Sequence, residues 1–261
     1  MRKIKYISKL VLGRRFESRQ QRWIVLLKPF IPSLLKKLIW KFLRLLQGPS
    51  IKYENELLYW QRHYLTDGGR FHNSQYRKKM LGMAEENDSQ FLENKVVADF
   101  GCGPRGSLSW VKSAKELIGI DVLADDYALL FDLSQHNMRY VRSDEMHIPL
   151  PLGYVDVLFS LNAIDHVDNF EVMCKELFRI LKPGGSFIGS FNIDMRSTIN
   201  EPQTLTEKRI KNHLLDHLEV QSYRVASPGP PNIDDYCHFF DNSPSPTTGP
   251  RFIWVRATKP I

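Results

Sequence analysis

Cysteine is scarce in this chain: there are three, Cys102, Cys174 and Cys237, none in the close pairs that hold zinc. That excludes a disulfide framework, argues against a bound metal, and fits a reducing compartment. Long hydrophobic runs are missing too. The most apolar stretch, Trp23 to Leu46, is broken by Lys28, Lys36, Lys37, Lys41 and Arg44, far short of the roughly 20 apolar residues of a spanning helix. Arg14 and Arg15 likewise cut short the apolar core that a secretory signal would need. No internal repeat occurs, which excludes solenoids and propellers. What remains is a chain of 261 residues, 43% hydrophobic, long enough for one sizeable core with an appendage.

Charge is divided unevenly. Residues 1 to 47 hold 13 Lys and Arg against a single acid, Glu17, a net charge of +12, while the other 214 residues carry 23 basic and 28 acidic side chains, a net charge of −5. Such a segment points to an anionic surface, lipid or nucleic acid, and the remainder to a soluble body. Ser33 can cap a helix after Pro32, and Gly48-Pro49 stops it. Lys37, Lys41 and Arg44 then share a face opposite Leu34, Leu35, Leu38, Ile39, Phe42, Leu45 and Leu46. This is the pattern of a helix lying in a membrane surface. The alternative is a stripe packed on the main domain.

The spacing divides the rest into a helical element over 51–92, broken at Asp67-Gly68-Gly69, and an alternating β/α region over 93–261. The first reads as a lid or substrate-side element, rich in Tyr, Trp and His. The second has seven candidate strands: Lys95–Phe100, Glu116–Ile120, Met138–Arg142, Val155–Ser160, Ser186–Asn192, Glu219–Val225 and Arg251–Ala257. Helices are expected at Ser107–Ala114, Asp125–Leu133, Asn169–Leu181 and Thr206–Leu215. The whole is expected to be an α/β fold, a doubly wound Rossmann-like sheet with an N-terminal helical extension over 1–50. Five prolines between Ser227 and Gly249 exclude regular structure there.

The chemistry begins at VVADFGCGPRGSL, a strand, a glycine loop and an expected helix. Gly101, Gly103 and Gly106 allow the backbone to turn sharply and approach a ligand, and the first amides of that helix would point into the same space. Taken alone the pattern also suits a dinucleotide, with Asp121 on a ribose in either case. Asp99, two residues before the first glycine, repels a pyrophosphate and welcomes an ammonium or sulfonium.

Four segments in order, ADFGCGPRG, IGIDVLADDY, YVRSDEMHIPLPLGYVDVLFSLNAIDHVDN and ELFRILKPGGSFIGSF, resemble the class I S-adenosylmethionine-dependent methyltransferases, the methyltransferase type 11 group in particular. The resemblance covers roughly 95–192. It implies S-adenosylmethionine as cofactor and a seven-stranded sheet whose last strand is antiparallel. It places Asp99, Gly101, Cys102, Gly103 and Gly106 around the methionine end, Asp121 and Val122 at the ribose, Asp144, Glu145 and Met146 at the adenine, and Ser160 and Asn162 along the cofactor. GCGPRG departs from the group's commonest form by one extra residue before its third glycine.

Methyl transfer from a sulfonium is an in-line displacement governed by alignment, with a base needed only for an acceptor that holds its proton. NAIDHVDN follows the fourth strand, at the carboxyl edge where open α/β sheets bind ligands. His166 is therefore the candidate base, with Asp165 or Asp168 to orient it, and His238 in the proline-rich connection is a second candidate. Beside the basic extension, these features suggest O-methylation of a small-molecule or lipid-linked glycan acceptor by a cytoplasmic protein peripheral to the membrane. A nucleic-acid methyltransferase is disfavoured, because the extension's apolar stripe is too large for a phosphate clamp. A non-catalytic module that binds the same cofactor is the other alternative.

Overall fold

The computed structural model describes residues 50–226 and 251–261. The chain divides into two units, residues 1–55 and residues 56–261. Of the first, only residues 50–55 are described, so the basic extension lies outside the described residues, as does the proline-rich connection with His238. Among the described residues no helix is long and apolar enough to cross a membrane.

Helix α1 (Ser50–Thr66) ends where Gly68 and Gly69 adopt positive φ, and α2 (Ser74–Ala84) follows. The break at Asp67-Gly68-Gly69 is thus where the sequence put it. Seven strands then form one sheet: β1 (Val96–Phe100), β2 (Glu116–Asp121), β3 (Arg139–Arg142), β4 (Val155–Leu161), β5 (Leu181–Ile193), β6 (Glu219–Ala226) and β7 (Arg251–Thr258). Their order is β3-β2-β1-β4-β5-β7-β6. Pairing is parallel from β3 to β5, and β7 runs antiparallel to both β5 and β6. The doubly wound seven-stranded sheet with its last strand antiparallel is the expected fold.

Alternation along the strands divides the core into two layers. Val96, Ala98 and Phe100 of β1 join Ile118 and Ile120 of β2 on one face, under Phe170, Met173, Cys174, Leu177 and Ile180 of α4 (Phe170–Ile180). Val97, Leu117, Phe159 and Trp254 face the other way, against Met80, Met83 and Ala84 of α2. Each such buried Phe, Met or Leu contributes about 1.5 to 3 kcal/mol. Helices α3 (Ala124–Leu130), between β2 and β3, and α5 (Glu207–His213) complete the α-helices among the described residues. Lys259, just beyond β7, donates its Nζ to the carbonyls of Phe178 and Leu181 at 2.7 and 2.8 Å, which closes the end of α4.

One expected helix is absent. Ser107–Ala114 forms two successive turns, Ser109 N to Gly106 O and Val111 N to Leu108 O, both at 3.0 Å, with Leu108 and Val111 buried in the second layer. The crossover from β1 to β2 must travel back along a five-residue strand, about 17 Å of rise. Eight helical residues would cover only about 12 Å of that. Turns and extended backbone close the distance instead. A second difference lies at the fifth strand, expected to begin at Ser186: β5 begins at Leu181, which pairs with Val155, and runs through Pro183-Gly184-Gly185, where Gly184 takes φ +72°.

Candidate active site

The loop after β1 owes its path to glycine. Gly101 has φ +73°, and a Cβ there would stand 2.2 Å from Cβ of Ala163, so no side chain fits between this loop and the one after β4. Gly103 has φ +56°, and a Cβ there would stand 2.8 Å from Cζ2 of Trp60. Gly106 packs on the other flank, against His136, and its carbonyl accepts from Nδ2 of Asn73 at 3.3 Å. Since no helix begins at Ser107, the expected ring of helix N-terminal amides is not formed. Ser107 instead donates its hydroxyl to Oδ2 of Asp99 at 2.5 Å.

Two buried carboxylates flank the loop. Asp99 is 3% exposed, and its Oδ1 has no hydrogen-bond partner among the described residues. Burial pushes its pKa up to about 7; the Ser107 hydrogen bond opposes this and the neighbouring Asp121 adds to it. Asp121, at the end of β2, accepts the N–H of Leu123 on Oδ1 at 2.9 Å and that of Gly103 on Oδ2 at 3.0 Å. Burial raises its pKa to about 6 despite those two donors, with Glu56 raising it further and His166 lowering it. Val122 is the half-exposed middle residue of the Asp121–Leu123 turn.

Helix α1 forms the opposite wall. Trp60 lies over Gly103 and donates Nε1 to Glu56 at 2.7 Å. Arg105 of the glycine loop stacks on Trp60 and Phe71, contacts Nδ1 of His63 at 3.2 Å and pairs with Asp67 at 3.5 Å. Tyr127, 1% exposed, is held neutral by its burial and by the charges of Asp121 and Glu56. The aromatic richness of 51–83 was visible in the sequence. That Glu56 and Trp60 would face Asp121 and Gly103 was not, because nothing local relates positions so far apart.

The remaining expected residues divide by position. Cys102 turns its side chain back toward the sheet, where a Cβ on Gly119 would stand 2.7 Å from its Sγ; only its backbone belongs to the loop. Asp144 follows β3 and accepts the N–H groups of Met146 and His147 on Oδ1, each at 2.7 Å, with Met146 exposed beside it. Glu145 points elsewhere: its Oε2 accepts the Asp168 N–H at 2.7 Å, bracing the loop after β3 against the loop after β4. Ser160 and Asn162, at the end of β4, each bury a side-chain oxygen that has no partner among the described residues, and Asn162 is held at φ +49°.

Asp165 and His166 fall in a single 3₁₀ turn, Ile164–His166, after β4. Asp165 is 3% exposed; it accepts from Nδ2 of Asn192 at 3.1 Å, and burial raises its pKa. His166 does not lie against Asp165 alone. Its Nε2 stands 3.8 Å from Oε1 of Glu201, a residue on the loop after β5 that the sequence did not single out.

Residues 98–189 match the family model described as a methyltransferase domain. The chain is 30% identical over 135 residues to malonyl-acyl-carrier protein O-methyltransferase of Yersinia pestis, covering 50% of this chain and 49% of that protein. It is 29% identical over 136 residues to sterol 24-C-methyltransferase of Candida albicans, covering 46% of this chain and 36% of that protein. It thus spans half or less of the length of these curated relatives. Among solved structures, an S-adenosylmethionine-dependent methyltransferase from Thermotoga maritima superposes with a TM-score of 0.53 at 16% identity, over 80% of this chain and 98% of that one, a likeness of fold.

Proposed function

We propose that this chain carries a class I S-adenosylmethionine-dependent methyltransferase domain and uses it to methylate an oxygen of a saccharide or lipid-linked acceptor presented at a membrane surface. The observation that carries the cofactor half is the pair of carboxylates beside the glycine loop. Asp99 keeps a buried Oδ1 that has no partner among the described residues. Such an oxygen is costly unless a ligand satisfies it, and an ammonium group does so best. The residues therefore fit the cofactor.

When bound, S-adenosylmethionine supplies a methyl group activated on a sulfonium. In this reading Asp99 takes the amino group, and Gly101 and Gly103 let the loop pass close beneath Ala163 and Trp60 and so stay beside that carboxylate. Asp121 takes the ribose hydroxyls on lone pairs left by its two backbone donors. Asp144 and Met146 flank the adenine, while Ser160 and Asn162 offer their unpartnered oxygens along the floor. Trp60 and Glu56 close the cleft from above and exclude water. Asp165 and His166 present the polar edge on which the acceptor lands.

The acceptor half rests on two supports. Residues 1 to 47 combine a +12 charge with an amphipathic apolar stripe, which suits an anionic lipid surface. One relative is named for a sterol, and another is named as an O-methyltransferase. Parallel calorimetric titration with S-adenosylmethionine, S-adenosylhomocysteine and NAD is the test. Binding of both sulfur ligands and not of NAD is expected; binding of NAD alone, or of none, overturns the reading.

A further inference from the structure

We propose that Asp165, His166 and Glu201 form a site for one divalent transition-metal cation beside the cleft. Each offers a donor atom, and the three atoms lie within 4.8 Å of one another. Around a cation with bonds of about 2.1 Å, donors stand roughly 3 to 4 Å apart, so a small closure completes the shell. His166 and Glu201 are the two partly exposed members, at 34% and 31%, and are the ones able to move.

Proximity alone would not carry this assignment. The second observation is a pair of oxygens with nothing to bind. Asp165 is 3% exposed and spends Oδ2 on Asn192, while its Oδ1 is buried without a hydrogen-bond partner among the described residues. Asn192, 8% exposed, spends its amide nitrogen on Asp165 and leaves its own Oδ1 in the same condition. Two adjacent buried acceptors call for a donor or a cation. His166 and Glu201 stand 3.8 Å apart, beyond hydrogen-bond length, so neither spends these facing atoms on the other.

The frame that holds the three residues is already built. The loop carrying Glu201 is closed at its neck by Asp194 N to Leu205 O at 2.9 Å, and the Glu201 N–H donates to Oγ1 of Thr198 at 3.0 Å. Gln203 ties this loop to the one after β4, donating Nε2 to the carbonyls of Val167 and Asp168 at 2.9 and 3.0 Å. One imidazole with two carboxylates suits manganese, iron or zinc better than magnesium or calcium, which prefer oxygen throughout. The solvent-facing side of the shell leaves positions for water or for hydroxyl oxygens of the acceptor, whose O–H proton a cation makes easier to release to solvent. That role rests on the methyltransferase reading; the cation site itself does not.

The experiment is titration of the metal-free full chain with Mn²⁺, followed by the electron paramagnetic resonance signal of the free ion, with S-adenosylmethionine binding measured in parallel. One saturable Mn²⁺ per chain is expected, weakened at least tenfold in Glu201→Gln, a partly exposed loop substitution, and in Asp165→Asn if that variant folds. Absence of saturable binding, or equal affinity in Glu201→Gln, overturns the site. Cofactor binding without Mn²⁺ binding removes the site and leaves the methyltransferase reading; Mn²⁺ binding without cofactor binding does the reverse.

Discussion

The backbone N–H of Gly103 donates to Oδ2 of Asp121 at 3.0 Å, so the carboxylate proposed for the ribose also fixes the path of the glycine loop. Removing that carboxylate has two effects at once. Asp121→Ala is expected to weaken S-adenosylmethionine by about 1 to 3 kcal/mol, the scale of a hydrogen bond to a charged group plus the N–H left without a partner. Calorimetry reads it, and unchanged affinity would remove Asp121 from the site.

Gly103→Ala puts a methyl group 2.8 Å from the Trp60 ring on a residue at φ +56°. The left-handed backbone alone costs about 1 to 2 kcal/mol for a residue with a Cβ. The variant should unfold at lower urea, and its fluorescence should differ from wild type by a signal that vanishes in a Trp60→Phe background. Wild-type stability would mean that the loop relaxes freely.

Cofactor binding should depend on pH through Asp99. With its pKa at about 7 in the free protein, an ammonium ligand must displace a proton below that pH. Affinity is expected to fall roughly tenfold from pH 8 to pH 6, with proton release visible as a buffer-dependent binding enthalpy. Folding stability follows the same groups. Asp99 and Asp121 have folded pKa values raised above the ordinary aspartate value, so their protonated forms favour the fold; that contribution is full below the unfolded pKa and is lost as pH rises through about 6 and 7. A flat binding profile, with no proton release, would contradict the assignment of Asp99 to the amino group.

His166→Ala should lower turnover while leaving S-adenosylmethionine affinity within a few-fold of wild type, if His166 serves the acceptor as proposed. Single-turnover kinetics separate the two effects. The expectation follows from the proposed placing of His166 at the acceptor, and loss of cofactor affinity in step with turnover would place it in the cofactor pocket instead.

Deleting residues 1 to 47 removes 13 basic side chains and the apolar stripe. Binding to vesicles containing anionic lipid should be lost, with cofactor affinity retained. A truncated protein that binds such vesicles as well as the full chain would sever the extension from the membrane.

Local pattern carried most of the architecture. Alternating β-branched runs from Val96 to Val157 and the 3.6-residue period of Phe170 to Ile180 reflect burial on two faces and on one stripe, so strands and helix were legible from neighbours a few residues apart. The glycine loop and its two acids were legible for the same reason, since their spacing is contained within about 25 positions. The helix expected at Ser107–Ala114 failed because composition says nothing about the distance a crossover must span.

The sequence by itself therefore determined the strands, the glycine loop and the placing of Asp99 and Asp121 at strand ends, because each depends on residues close in the chain. Only the tertiary structure decided that Trp60 would lie over Gly103, that Glu145 would brace Asp168, and that Glu201 and Asn192 would meet Asp165. Those meetings are set by sheet order and loop closure, which bring together residues tens of positions apart.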